Sequence, residues 1–171
     1  VMGYSTMKKD HSHFLGPIGG LGGKAANNMA KKTDLAIAIG TKLADFTTGS
    51  WANFENPKFK LVTINAGRFD ANKHMAQAII GDAKVTLTEL SRTLGSWRAN
   101  DEWSNQGKKE LKNWNDYVDK ESGPTNQELP SYAHVVGAVY RNSSATDIAV
   151  TAAGGLVGEV VQVWRPKELN T

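Results

Sequence analysis

The sequence predicts an α/β protein: a Rossmann-like parallel sheet with flanking helices, followed by the opening helix–strand–helix of a second α/β domain. Three observations carry this. Short, continuous apolar runs stand at Leu35-Ala36-Ile37-Ala38-Ile39 and Leu61-Val62-Thr63-Ile64. Such runs suit strands buried on both faces of a parallel sheet. Helical stretches alternate with them across residues 1–94, as in repeated βαβ units. A later apolar run, Asp147-Ile148-Ala149-Val150-Thr151, leads into the adjacent glycines Gly154 and Gly155.

The elements follow in order. A helix is predicted over residues 24–32, ahead of the first strand, and another over residues 70–75, after the second. Ala78-Ile79-Ile80 is the third strand candidate. Asp82 precedes a helix that carries Leu87, Leu90 and Leu94 at helical spacing. From residue 95 to 131 the texture turns polar and is punctuated by tryptophan. There Trp103, Leu111, Trp114 and Val118 share one face of a helix. Ser122-Gly123-Pro124-Thr125-Asn126 breaks it. Pro130 and Ser131 open the next helix, whose apolar stripe is Val135, Val136, Val139 and Tyr140. Residues 147–151 read as a strand, and a last helix runs through Val160, Val161 and Trp164. The predicted organisation is one α/β domain over 1–94, a linker with a helix over 95–129, and the start of a second domain over 130–171. A single strand cannot form a sheet, so the second domain reads as truncated.

Composition sets the outer bounds. The chain has 171 residues, 40% hydrophobic and 22% charged, which is ordinary for a soluble globular protein. No apolar run approaches the roughly 20 residues that span a bilayer. The start, Val1-Met2-Gly3-Tyr4, lacks the layout of a signal peptide and reads as a cut end. There is no cysteine, which excludes disulfides, thiolate metal sites and a cysteine nucleophile, and fits a cytoplasmic protein. The net charge is +3, from 20 basic and 17 acidic residues. The pairs Lys8-Lys9, Lys31-Lys32 and Lys108-Lys109 are scattered among acidic and polar neighbours. That pattern suits solvated faces, and neither nucleic acid nor membrane is an expected partner.

Two glycine clusters stand out. The first is Gly16-Pro17-Ile18-Gly19-Gly20-Leu21-Gly22-Gly23, just before a helix. A loop of this kind can aim amides at a phosphate, or it can be a turn that binds nothing. It does not directly follow a clear strand, as a dinucleotide fingerprint requires. The second is Ala152-Ala153-Gly154-Gly155-Leu156, at the carboxyl end of a predicted strand. Ligands of open α/β sheets bind at that edge; the alternative is a tight strand-to-helix turn. His11 and His13 flank Ser12, but no third metal ligand follows at a suitable spacing, and His74 and His134 are isolated. Ser143-Ser144 and Asp147 lack the surroundings of a hydrolase nucleophile.

Taken together, the segments resemble the thiamine-diphosphate-dependent enzymes. Asp10-His11, Leu15-Gly16, the first glycine cluster and Ala26-Asn27 look like the central domain of that family. Asp34-Leu35-Ala36-Ile37-Ala38-Ile39-Gly40-Thr41-Lys42-Leu43, Thr48-Gly49, Leu61-Val62-Thr63-Ile64-Asn65 and Gly81-Asp82-Ala83 follow in the family's order. Two stretches narrow the likeness, Asp45-Phe46-Thr47-Thr48-Gly49-Ser50-Trp51-Ala52 and Ala152-Ala153-Gly154-Gly155-Leu156-Val157-Gly158-Glu159. Both are similar to segments of the branch that hydrolyses trihydroxycyclohexanedione in inositol catabolism.

The resemblance implies a parent of three domains that uses thiamine diphosphate and Mg2+. Its central domain is expected to be a scaffold, with active sites formed between chains of a homo-oligomer. The implied reaction cleaves a C–C bond of a cyclic dione, a small-molecule substrate, and yields 5-deoxyglucuronate with the cofactor as electron sink. Gly154, Gly155 and Leu156 match a loop near the diphosphate. The activating glutamate and the metal motif lie outside these residues, so no catalytic or metal-ligating residue is expected here and the chain alone is expected to be inactive. Some central domains of the family also bind FAD; Gly16, Gly19, Asn27, Gly40, Lys42 and Asn65 fall at or near those positions. The sequence departs from those members at Ala44 and Phe46 and in a longer glycine loop, which counts against FAD. An acetolactate-synthase-like carboligase and a non-catalytic nucleotide-binding or structural domain are the alternatives.

Overall fold

The computed structural model describes residues 7–166 and residue 168. The reading of Val1 to Tyr4 as a cut end lies outside the described residues. Helix α1 spans Lys24–Lys32 and buries Ala25, Ala26, Met29 and Ala30, neighbours on one face of a helix. Lys31 and Lys32 lie in its last turn, where positive charge opposes the helix dipole. Strand β1 is Leu35–Ile39, β2 is Lys60–Asn65 and β3 is Gln77–Ile80. They pair in the order β1-β2-β3, all parallel, with Ile37 opposite Val62 and Ile64 opposite Ile79. Between them lie the one-turn helices α2, Asp45–Thr48, and α3, Arg68–Ala71. The middle strand supplies the core: Ile64 is fully buried, and Leu61 and Thr63 nearly so. Helix α4, Ala83–Leu94, is capped by Asp82, whose Oδ1 accepts from the Val85 amide at 2.9 Å.

Three expectations need correction. The strands are not buried on both faces: Leu35, Ile37 and Ile39 are 42–49% exposed. Side chains at i, i+2 and i+4 share one face of a strand, and among the described residues no element buries that face of β1. The helix expected at 70–75 starts earlier and stops at Ala71; residues 73–75 form a separate tight turn with His74 at φ 61°. Asn72 ends α3, its side-chain amide donating to the Arg68 carbonyl at 2.8 Å, a local competition with the helix ladder. Residues 147–151 form no strand. A strand exists through its ladder, and no described segment pairs with this one; Ile148 is 69% and Val150 89% exposed.

The second half is helical. Helix α5, Asp101–Glu121, has 21 residues and is about 30 Å long at 1.5 Å per residue. Asn100 caps it, accepting from the Trp103 amide at 2.7 Å. It lies along α1, where Gly107 packs close to Leu15 and Met29. Helix α6, Tyr132–Asn142, begins with a capping box. Ser131 Oγ accepts from the His134 amide, and His134 Nδ1 accepts from the Ser131 amide, with histidine where Glu or Gln is usual. Helix α7 is Gly155–Val163. Val118 of α5, Val136 of α6 and Val163 of α7 make a separate core, with Trp114, Ala133, Val160 and Trp164 around it. Burying each valine contributes about 1.5–3 kcal/mol. Arg165 adds an ion pair to Asp119 of α5 at 2.5 Å.

Candidate functional site

The first glycine loop is closed on itself. Asn27, in the first turns of α1, reaches back to it: the Gly19 amide donates to Asn27 Oδ1 at 2.9 Å, and Asn27 Nδ2 donates to the Gly19 carbonyl at 3.0 Å. Asn53 Nδ2 donates to the same Asn27 oxygen at 3.1 Å. The Gly20 amide donates to the Phe46 carbonyl at 2.8 Å, Gly22 to Gly19 at 2.9 Å and Gly23 to Pro17 at 3.0 Å. Gly19 has φ +109°, and a Cβ there would stand 1.9 Å from the Phe46 carbonyl oxygen. Only glycine satisfies both conditions.

The remaining positions suggested for a flavin meet this loop only in part: Gly40 and Lys42 share a groove with Gly16, and Asn65 does not line it. Gly40 ends β1, and its amide donates to the Ile64 carbonyl at 2.9 Å. Asn65 ends β2 with both side-chain atoms engaged: Nδ2 donates to the Thr41 carbonyl at 3.2 Å, and Oδ1 accepts from the Gly67 amide at 2.9 Å. The Lys42 carbonyl accepts from Lys73 Nζ at 3.2 Å. Gly16, Gly40 and Lys42 line a groove of about 860 Å³ along β1, whereas Gly19, Asn27 and Asn65 do not. Its walls are largely aliphatic, including Met29, Leu35, Ile37 and Leu43.

The second loop is open. Gly154 has φ 123° and ψ −172° and precedes α7 without a side-chain cap. Nothing lies within 4 Å of where its Cβ would stand. Leu156 is 41% exposed. First-turn amides have no partner inside their own helix, and among the described residues no acceptor meets the Gly155 or Leu156 amide. The Val157 amide donates to the Gly154 carbonyl at 3.3 Å. Exposed, unpartnered amides at a helix start suit an anionic group. The loop borders a groove of about 900 Å³, lined by Val135, Val139, Ile148, Val150, Leu156 and Trp164 among others.

The other polar motifs resolve into local structure. His11 Nδ1 accepts from the His13 amide at 3.2 Å, and no metal-holding group of His, Asp or Glu occurs among the described residues. His74 packs edge-on to Trp51, ring centroids 4.2 Å apart. Ser144 Oγ and its amide both donate to Asp147, at 2.6 and 2.8 Å, which closes a local turn. Sequence reasoning missed Lys9. It is half-buried in a cleft of about 90 Å³ with Gly16, Pro17, Gly23 and Trp114. Burial lowers its pKa from 10.5 to about 8. It also missed Asn53, which no local pattern marks. No described helix is long and apolar enough to cross a membrane.

Comparison with known proteins bears on this geometry. Residues 1–90 match the family described as thiamine pyrophosphate enzyme, central domain. The chain belongs to the thiamine pyrophosphate enzyme family. The parallel three-stranded sheet with its helices agrees with a central domain of that family. Among similar curated proteins is the 3D-(3,5/4)-trihydroxycyclohexane-1,2-dione hydrolase of Clostridium perfringens strain 13. It is 47% identical over 92 residues, 54% of this chain and 14% of that protein. The protein of the same description from Bacillus anthracis strain CDC 684 is 32% identical over 194 residues, 99% of this chain and 30% of that protein. One from Geobacillus thermodenitrificans is 29% identical over 192 residues, covering 99% of this chain and 29% of its own length. The chain therefore spans at most about a third of the length of these thiamine pyrophosphate enzyme relatives.

Proposed function

We propose that this chain is part of a thiamine-diphosphate-dependent hydrolase that opens the ring of 3D-(3,5/4)-trihydroxycyclohexane-1,2-dione to 5-deoxy-D-glucuronate. The observation that carries the reading is the 32% identity, over 99% of the chain, to a relative named for hydrolysing that dione. We assign residues 1–94 to a central scaffold domain, 95–129 to a linker with a helix, and 130–171 to the opening of the diphosphate-binding domain.

Within this reading the chain's own contribution is positional. Gly154, Gly155 and Leu156 present the backbone to the diphosphate of the cofactor. Gly154 supplies a conformation that a side chain rarely adopts, and the Gly155 and Leu156 amides face the anion. When bound, thiamine diphosphate, with its Mg2+, would supply the electron sink for C–C cleavage. The catalytic and metal-ligating groups belong to other parts of the intact protein, which works in the cytoplasm as a homo-oligomer.

The test is an assay of the intact protein with thiamine diphosphate, Mg2+ and the cyclic dione, following formation of the ring-opened acid. Turnover of pyruvate to acetolactate in its place would replace the reading with a carboligase. The 171-residue chain alone is expected to give no turnover; ring opening by it would overturn the division of labour proposed here.

A further inference from the structure

We infer that the glycine loop at residues 19–23 is a closed seat for helix α5, and that the protein holds no flavin dinucleotide through it. The inference does not rest on the ring-opening reading; it rests on where the loop's polar groups go. The amides of Gly19, Gly20, Gly22 and Gly23 all donate within the protein, at 2.8–3.0 Å. A phosphate cradle needs such amides pointing at the ligand. Binding a diphosphate there would mean breaking these bonds and leaving their acceptors, Asn27 Oδ1 and the Phe46 carbonyl among them, without partners.

Helix α5 packs against the start of α1. A Cβ on Gly23 would stand 2.8 Å from Trp114 Nε1 and 3.1 Å from Trp114 Cε2. The indole therefore lies against the Gly23 backbone, where a side chain at this position would stand. Trp114 stacks with Tyr117 at 5.6 Å, and Lys24 Nζ lies 5.1 Å from the Tyr117 ring centroid. Gly23 is buried, as are Ala25 and Ala26 just beyond it. On the Trp114 side the cleft beside Gly16, Pro17 and Gly23 is about 90 Å³, far below the roughly 300–1,000 Å³ of ligand pockets; the groove of about 860 Å³ on the other side is lined by Gly16 and Ile18 but by none of Gly19, Gly20, Gly22 and Gly23. The glycines serve close packing: Gly23 makes room for the tryptophan, and Gly107 of α5 closes on Leu15 and Met29.

Two measurements test this. The intact, unsubstituted protein is incubated with FAD and passed through a desalting column, and bound flavin is read by absorbance. No retained flavin is expected; one equivalent per chain would overturn the inference. In parallel, Gly23→Ala is made with Trp114 present and in a Trp114→Phe background, and tryptophan emission is recorded. A shift of a few nanometres to the red is expected only where Trp114 is present. The same shift in both backgrounds, or in neither, would remove the seat. The flavin measurement needs no substitution, so it decides even where Gly23→Ala impairs folding.

Discussion

The two glycine-rich turns of this chain are alike as letters and opposite as structures. At the first, a Cβ on Gly19 would meet a carbonyl oxygen at 1.9 Å; at the second, a Cβ on Gly154 would meet nothing within 4 Å. Both residues hold a positive φ, 109° and 123°. In the first turn that φ serves packing, because Asn27 and Phe46 hold the loop from two sides. In the second no neighbour demands it, and among the described residues no acceptor takes the Gly155 and Leu156 amides that follow. Positive-φ glycine alone therefore does not mark a ligand site. What distinguishes the two turns is whether the protein itself has taken the backbone donors.

The contrast can be broken experimentally, beginning with the largest effect. Gly19→Ala adds both a backbone clash and an unfavourable φ, and is expected to cost about 3–4 kcal/mol of stability. Urea unfolding checks this, and a loss below about 1 kcal/mol would mean that the loop is not held as described. Asn27→Ala strands the Gly19 amide and carbonyl and Asn53 Nδ2; about 2 kcal/mol is expected by the same measurement. Gly154→Ala should reverse the pattern. The open loop can rearrange, so unfolding hardly changes. Thiamine diphosphate affinity of the intact protein, measured by calorimetry, falls about tenfold, equivalent to about 1.4 kcal/mol.

The smallest effect concerns pH. Burial lowers the Lys9 pKa from 10.5 to about 8, so between these values the unfolded chain binds the proton more tightly. Stability should then rise as pH increases from about 8 towards 10.5, and Lys9→Met should lose that slope. Paired unfolding curves across this range test it. An anion held in the cleft beside the first loop would keep the ammonium charged and abolish the slope.

Features set by nearest neighbours were legible in the sequence. Strand β1 and helix α1 fell where the apolar runs and spacing put them. Asp82 and Ser131 begin their helices because a cap needs only an acceptor a few residues before free amides. The face Trp103, Leu111, Trp114 and Val118 was also readable, since helical spacing fixes it. What that face covers was not. Asn53 lies 26 residues from the Asn27 oxygen it reaches, and Trp114 meets Gly23 from a separate helix. Strand character at residues 147–151 failed for the same reason: composition expresses a preference, but a ladder needs a partner. The second loop's openness is likewise a statement about absent neighbours, which no motif encodes.

Helix α5 has a mechanical consequence. At Trp114 it rests on the first loop; one turn later, at Val118, it supports Val136 and Val163. Val163 is the last residue of the helix that starts at Gly155. Helix α5 thus packs on the first turn and on the core beneath α7, and α7 also meets the first turn directly, where a Cβ on Gly158 would stand 3.5 Å from Leu21.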